Sequence, residues 1–326
     1  MKTLVTGGTG FVGVHLAQAL LDAGHDVAIL GRNFAPAQSL IAAGALPVAA
    51  DLRDAGAVQR ACSGMDAVFH VGALSAPWGA AADFQAINVG GTRNVVHGCT
   101  QHGVQRLILV SSPSVVFNGR DQQVLTEAAP YPRRFASIYS ETKKQAEDVV
   151  RAAAVPWVIV RPKAIFGPGD TTLLPRLITA ARQGRLPQIG AGHNLVDLTY
   201  VANVVDALVL SLTAPAAVGR IYNITNDEHV PLWTVIRTVL ARLGIRHRLR
   251  RVPVAVALLL ARLLEAQAAW TGREPALTRY GVAILARTQT YTIAAARRDL
   301  GYNPRISVAD GIERVLQALQ SSSVVI

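Results

Sequence analysis

The sequence predicts an α/β fold: a doubly wound parallel sheet joined to a smaller, mainly helical C-terminal domain. Three observations carry that expectation. In the first half, short apolar runs alternate with longer helix-like runs, as they do where helices cover both faces of a parallel sheet. A glycine-spaced loop, "TGGTGFVG", follows the first apolar run without a gap. Beyond Pro162 the alternation loosens and helix-like runs take over.

Taken in order, "KTLVTG" is the first strand, and "FVGVHLAQALLDAG" is a helix closing on Gly24, the residue type that ends helices in a left-handed turn. "HDVAIL" is the second strand, "APAQSLIAAG" a helix and "LPVAAD" the third strand. "AGAVQRAC" and "MDAVFHVG" repeat the pair. One long helix is expected over about 80–102, followed by the strand "VQRLILVSS", a helix carrying Tyr139, and the strand "PWVIVRP". Consecutive parallel strands require right-handed crossovers, which winds the chain across both faces. "LLPRLITAARQG" reads as a helix, and "LVDLTY" and "RIYNIT" as late returns to the sheet. The rest reads as helices with short strands, and "SSSVVI" as a frayed end. The expected division is 1–165, rejoined by about 195–226, for the sheet domain, and 166–194 with 227–326 for the second.

Composition narrows the function classes. Of 326 residues, 51% are hydrophobic and 16% charged, which is globular and not disordered. The net charge of +11 raises nucleic acid or an anionic surface as partners. The arginines are scattered, however, and only "RHRLRR", at 246–251, is dense. No nucleic-acid motif accompanies it, so nucleic-acid binding is not expected. Cys62 and Cys99 cannot build a disulfide framework, and no Cys/His cluster announces a metal. Both read as small buried residues of a reducing, cytoplasmic setting. Glycines interrupt "MKTLVTGGTGFVG" too early for a signal peptide. Arg262 and Glu265 interrupt "VAVALLLARLLEAQAAW", which reads as a core helix and not a membrane span. The basic run before it reads as a solvated face, with peripheral lipid contact as the alternative.

In "TGGTGFVG", Gly7, Gly10 and Gly13 have distinct uses. The first permits a tight turn, the second lets backbone approach a pyrophosphate, and the third lets the helix pack on the sheet. The helix N-terminus then offers free N–H groups to phosphate. An acid at the end of the second strand would bind the ribose of NAD, but "AILGRN" puts Gly31 and Arg32 there. A guanidinium suits a 2′-phosphate, so NADP is expected, with NAD the alternative. "YSETKK" places Tyr139 and Lys143 four apart, on one helix face. That spacing is notable because the only lysines are Lys2, Lys143, Lys144 and Lys163.

These segments resemble the extended short-chain dehydrogenase/reductases, from Lys2 to about Leu319. "DLRD", "VFHVGA", "INVGGTRNVV", "SSPSVV", "YSETK" and "RPKAIFGPGD" match family motifs in family order. The resemblance implies a Rossmann domain whose cofactor meets Gly7, Gly10, Phe11, Val12, Gly13, Arg32, Asp51, Leu52, Val71, Gly72, Ala73, Tyr139, Lys143 and Pro162. It implies Ser112, Tyr139 and Lys143 as catalytic residues and Asn88 as their support, holding a water or backbone. Ser111 and Ser114 are alternatives to Ser112 if the register slips. Gly72 stands where the family usually has Ala. Sugar-nucleotide epimerases carry an Asn shortly after the Arg of "RPKAIFGPG", absent here. Sugar dehydratases carry Asp-Glu where this chain has Pro113 and Ser114. "FGPGDTTLLPRL", "NLVDLTYVANVVDAL" and "YTIAAARRDLGYNPRISVADGI" resemble the 3β-hydroxysteroid dehydrogenase group. Within it, sterol-4α-carboxylate 3-dehydrogenases and the 2-alkyl-3-oxoalkanoate reductases of bacterial long-chain olefin synthesis are the nearest in these segments.

The resemblance therefore implies interconversion of a ketone and a secondary alcohol on an apolar, lipid- or steroid-like 3-oxo substrate. Lys143 would tune Tyr139, since a nearby ammonium favours the phenolate, and would hold the nicotinamide ribose. Two other readings stay open: a nucleotide-sugar epimerase or dehydratase, and a non-catalytic dinucleotide sensor. A homodimer is expected, its seam formed by "NVVHGC" and "EDVVRAAA". Part of the region made of segment 254–270 and "ALTRYGVAILA" is expected to cover an apolar cleft above Tyr139.

Overall fold

The computed structural model describes residues 1–172 and 174–323. Seven strands form one parallel sheet in the order Arg220–Ile224, Trp157–Pro162, Arg106–Val110, Ala67–His70, Lys2–Thr6, Asp26–Gly31 and Leu46–Ala49. The chain winds outward one way from Lys2–Thr6 and then returns to wind the other way from Ala67–His70. That reversal opens a crevice at the carboxyl ends of the central strands, where such sheets bind ligands.

Alternate strand residues feed two cores, as the strand period of two requires. Val5 packs with Leu16 and Leu20 of the helix Phe11–Asp22 and with Val204 and Leu208 of Val201–Thr213. Leu4 faces the opposite core, with Val58, Val95, Val150 and the buried, free Cys62 and Cys99. A separate core centres on Trp233 and takes residues from Leu174–Arg182, Leu232–Arg242, Val254–Thr271, Arg279–Ala286 and Val308–Ser323.

Three sequence expectations change. Of the two expected returns to the sheet, Arg220–Ile224 joins it but "LVDLTY" does not. Arg220–Ile224 takes the place beside Trp157–Pro162 and is the edge strand. Leu195–Asp197 instead pairs with His229–Pro231 and Gln289–Tyr291, in a four-stranded sheet completed by the unforeseen strand Gln122–Leu125. Thr199–Tyr200 pairs with Ile165–Phe166. The long helix is continuous but widens into a π-helical stretch, Gln85–Gly90, between Ala81–Phe84 and Gly91–Gln101. Of the expected frayed end, 321–323 belong to the last helix and 324–326 lie outside the described residues.

Candidate active site

The glycine loop is built by close approach. Gly7 has φ +66°, and a Cβ on it would stand 2.6 Å from the Gly72 Cα. At Gly72 a Cβ would stand 3.0 Å from Leu52 Cδ1 and 3.2 Å from Gly7 N, which accounts for glycine where the family pattern has alanine. A Cβ on Gly13 would meet Gly7 O at 2.1 Å, so the helix start can press against the turn only without a side chain. Gly10 caps Phe11–Asp22 with extended backbone and no side-chain cap, and no acid stands in the first turn. Its Cβ direction is open apart from Gly7 O at 3.3 Å. The N–H groups there are left for a ligand, and an anion is the ligand they suit. The loop therefore fits a dinucleotide pyrophosphate.

A cleft of about 490 Å³ runs from this loop across the sheet end to Tyr139. Every sequence-predicted cofactor residue lines it: Gly7, Gly10, Phe11, Val12, Gly13, Arg32, Asp51, Leu52, Val71, Gly72, Ala73, Tyr139, Lys143 and Pro162. Ser112 lines it too, whereas Asn88 lies behind its wall. An acid at Gly31 would force the Thr9 side chain to move, because a Cβ there would lie 2.7 Å from it. Arg32 is 71% exposed and only 3.6 Å from Asp51. Asp51 is held instead by Arg53, whose Nε and Nη2 donate to its two carboxylate oxygens at 2.9 and 2.8 Å. Chiefly by that hydrogen bonding, Asp51 is pulled down to about 2. Arg32 thus keeps donors for another anion.

Tyr139 lies in the first turn of Ile138–Arg151, whose N-cap Ser137 accepts from Ser140 N–H at 3.1 Å. One turn on, Lys143 is buried and its Nζ donates to Val110 O at 2.7 Å. Burial lowers Lys143 to about 8, with the Glu147 charge opposing. The Tyr139 phenol is pushed above its ordinary value, first by burial and then by Tyr280, with the Ser112 hydroxyl opposing. Lys143 is not among the groups that shift the phenol in this structure. The ammonium is engaged with a carbonyl, desolvation dominates, and Tyr139 is held in its proton-donating form. Lys144 faces away, as expected, but is tied to Asp148 at 2.6 Å and not free.

The supports are polar and buried. Asn88 sits in the π-helical turn, accepts from Leu74 N–H at 2.7 Å, and donates to Leu74 O at 3.1 Å and Thr142 Oγ1 at 3.0 Å. It therefore pins the cleft-wall segment to the tyrosine helix. Ser111 donates to Glu147 at 2.5 Å, so its hydroxyl is committed; Ser114 is buried in the short helix that Ser112 caps. Ser112 is the serine left beside the phenol. His70 is fully buried between Thr6 at 2.7 Å and Thr92 at 3.0 Å. Burial and the Lys143 charge hold it near 3, so it stays neutral.

Sequence reasoning missed three features. Glu147 pairs with Arg161 at 2.6 and 2.8 Å, both side chains wholly buried; its place four residues after Lys143 was a usable signal. Tyr280, from Arg279–Ala286, lies beside Tyr139 and the Ser114 and Ser140 hydroxyls, and no spacing announces a residue from so far along the chain. The third is a second cavity, lined by Phe166, Leu174, Leu177, Val196, Leu198, Leu232, Val235, Ile236, Ile284 and Ile312 with Lys163 and Asp197. Ala164, at φ +43°, lines both this cavity and the cofactor cleft. Lys163 donates to Gln289 at 2.6 Å and is lowered by burial to about 8. "ALTRYGVAILA" therefore does reach the site, through Tyr280 and Ile284. Val254–Thr271 does not: its buried residues are Ala257, Ala261 and Ala268, with Val254 and Leu258 packed partly on the second core, while Val256, Leu259, Leu260, Leu263 and Trp270 point outward.

A parallel sheet reversing beside a glycine loop, with Tyr139, Lys143 and Ser112 on one cleft, defines an extended short-chain dehydrogenase/reductase. Within that class the chain belongs to the 3-beta hydroxysteroid dehydrogenase/isomerase family, whose sequence profile matches residues 4–254. It is 36% identical over 328 residues to the 2-alkyl-3-oxoalkanoate reductase of Stenotrophomonas maltophilia, covering 97% of this chain and 98% of that protein. It is 35% identical over 336 residues to the decarboxylating sterol-4-alpha-carboxylate 3-dehydrogenase of Mus musculus, covering 97% and 90%. A solved structure, the UDP-glucuronic acid 4-epimerase of Bacillus cereus in complex with NAD, matches at a TM-score of 0.78 over 98% and 99% of the chains. At 22% identity that likeness is one of fold alone. The protein is an NAD(P)-dependent oxidoreductase acting on CH–OH groups.

Proposed function

We propose that the protein is an NADPH-dependent ketoreductase of a long, apolar 3-oxo substrate. The observation that supports this reading is a small apolar cavity of about 50 Å³ that shares the lining residue Ala164 with the cofactor cleft. An apolar chain buried there leaves water, at a gain of roughly 0.8 kcal/mol per methylene; a nucleotide diphosphate would lose its hydration without partners. The names of the two relatives, a 2-alkyl-3-oxoalkanoate reductase and a sterol-4-alpha-carboxylate 3-dehydrogenase, support the same class. Arg32 supports NADP over NAD.

When bound, the cofactor supplies hydride to the carbonyl carbon, or accepts it in the reverse direction. Tyr139, protonated near neutral pH, gives its proton to the carbonyl oxygen as charge builds there, completing the alcohol. Ser112 donates a hydrogen bond to the same oxygen and so fixes its position. Lys143 has donors beyond the one given to Val110 O; these would hold the ribose hydroxyls of a bound cofactor, and its charge would stabilise the phenolate left behind. Asn88 keeps Leu74 and Thr142 in place. We also propose a homodimer, since Val96 on Gly91–Gln101 and Val149 on Ile138–Arg151 are only half-buried within the chain. Light scattering that finds only monomer at micromolar concentration would remove that part.

The test is NADPH oxidation with 2-alkyl-3-oxo acids, 3-ketosteroids and nucleotide sugars. Turnover of one of the first two classes, with nucleotide sugars inert, is expected. Nucleotide sugars turned over as well as the apolar ketones would overturn the reading.

A further inference from the structure

Val254–Thr271 is the one helix among the described residues long and apolar enough to cross a membrane by length and composition, yet little of it is buried. Its core-facing side is mostly alanine, with Val254 and Leu258 packed partly on the second core. Ala257, Ala261 and Ala268 face the core, while Val256, Leu259, Leu260, Leu263 and Trp270 face out, Leu263 at 62% and Trp270 at 96% exposure. The outward positions recur at three, four and seven residues and so form one stripe. Only Arg262 brings an unpaired charge to the helix, because Glu265 is engaged by Arg279 at 2.6 Å. The alanine contacts run along most of the helix, so it lies flat on the second core and does not leave it to span a bilayer.

The segment before it supplies charge. Arg246, Arg248 and Arg250 are exposed, while Ile245, His247 and Leu249 between them are turned partly inward. Alternation of this kind sets the arginines on one side of an extended segment. With Arg251 they make four exposed cations, none with an acidic partner among the described residues. An apolar stripe bordered by cations matches the apolar-to-headgroup boundary of a bilayer rich in anionic lipid. A tryptophan at the helix end suits the same boundary. A second copy fits poorly, since a twofold contact would bring the cations of two chains of net charge +11 together.

We infer that this face docks on an anionic lipid surface, with Val254–Thr271 in the plane of the interface and the 246–251 arginines against the headgroups. The inference does not depend on the substrate reading. The experiment is flotation of the full chain with phosphatidylcholine vesicles, pure or with roughly one-third phosphatidylglycerol, alongside Trp270 emission. The protein should float with the anionic vesicles, less so as salt rises, and its emission should shift to the blue; Trp270→Phe should lose the shift. A Leu259→Ser, Leu263→Ser double variant and an Arg248→Glu, Arg250→Glu double variant should each lower partitioning by about tenfold or more, because both the apolar and the charge contributions are needed. Unchanged circular dichroism and NADPH binding in these variants show that they are folded. Failure to float, flotation equal with neutral and anionic vesicles, or variants that bind like the parent would each overturn the inference. So would a concentration-dependent dimer abolished by the leucine variant, which would assign the face to a second copy.

Discussion

Lysine is spent sparingly in this chain, and two of its four lysines, Lys143 and Lys163, are buried at the site. An ammonium has three donors to satisfy, a guanidinium five in a fixed fork. A buried pocket offering one carbonyl, Val110 O or Gln289 Oε1, therefore accommodates lysine more readily than arginine. Burial puts Lys143 at about 8, below its ordinary 10.5. Its charge is present below that value and lost above it, so kcat/KM for reduction should fall as pH rises through about 8, measured in overlapping buffers. Tyr139→Phe removes the proton donor and should lower kcat by at least ~10²-fold, with the NADPH Kd nearly unchanged by fluorescence titration. Arg32→Ala should weaken NADPH by at least ~1 kcal/mol, the scale of a charge-assisted contact, and leave NADH nearly alone; equal losses would refute the role of Arg32. At this scale the glycines, Arg32, Ser112, Tyr139 and Lys143 were legible because their signal is local spacing. The state of the phenol was not, because burial by Tyr280 and its neighbours is set by the tertiary structure.

The helix Ile138–Arg151 is fastened to the strand Trp157–Pro162 by Glu147 and Arg161, with Ser111 and Tyr131 completing the group. Removing one member of a buried ion pair strands the other charge. Glu147→Ala should therefore cost about 3–5 kcal/mol, read from urea denaturation. Glu147 also raises Lys143, so in a folded variant the alkaline limb of the pH profile should move to lower pH. A limb that stays in place would separate Glu147 from the site and leave it a structural residue. The two helix ends and the sheet strands were readable from periodicity. The π-helical turn at Asn88 was not, since its sequence continues an ordinary helical pattern. Nor was the fate of Leu195–Asp197: three residues carry little register information, and their pairing with Gln289–Tyr291 depends on chain far away.

Across the whole molecule, the cofactor half of the site comes from the first 165 residues, in motifs that each sit on one turn or strand end. The proposed substrate half draws Val196, Leu232, Ile284 and Ile312 from four separate elements, and Lys163 from the loop after Trp157–Pro162, into one cavity, and no short motif records that convergence. Hence the residues around the glycine loop and Tyr139 were placed from sequence, while the apolar side was read only as greasy composition, and of the two segments expected to cover it only "ALTRYGVAILA" reaches it. Val254–Thr271 faces outward, and Arg279–Ala286 is the helix that reaches the site. The central claim is that a ketone reduced beside Tyr139 buries part of its apolar chain in the roughly 50 Å³ cavity at Ala164. Its most direct test is kcat/KM with NADPH for a homologous series of 3-oxo acids of increasing chain length. The account predicts a rise of roughly fourfold per methylene, the factor for about 0.8 kcal/mol of burial, over the first few methylenes, ending in a plateau when the small cavity is full. A flat dependence on chain length would contradict it.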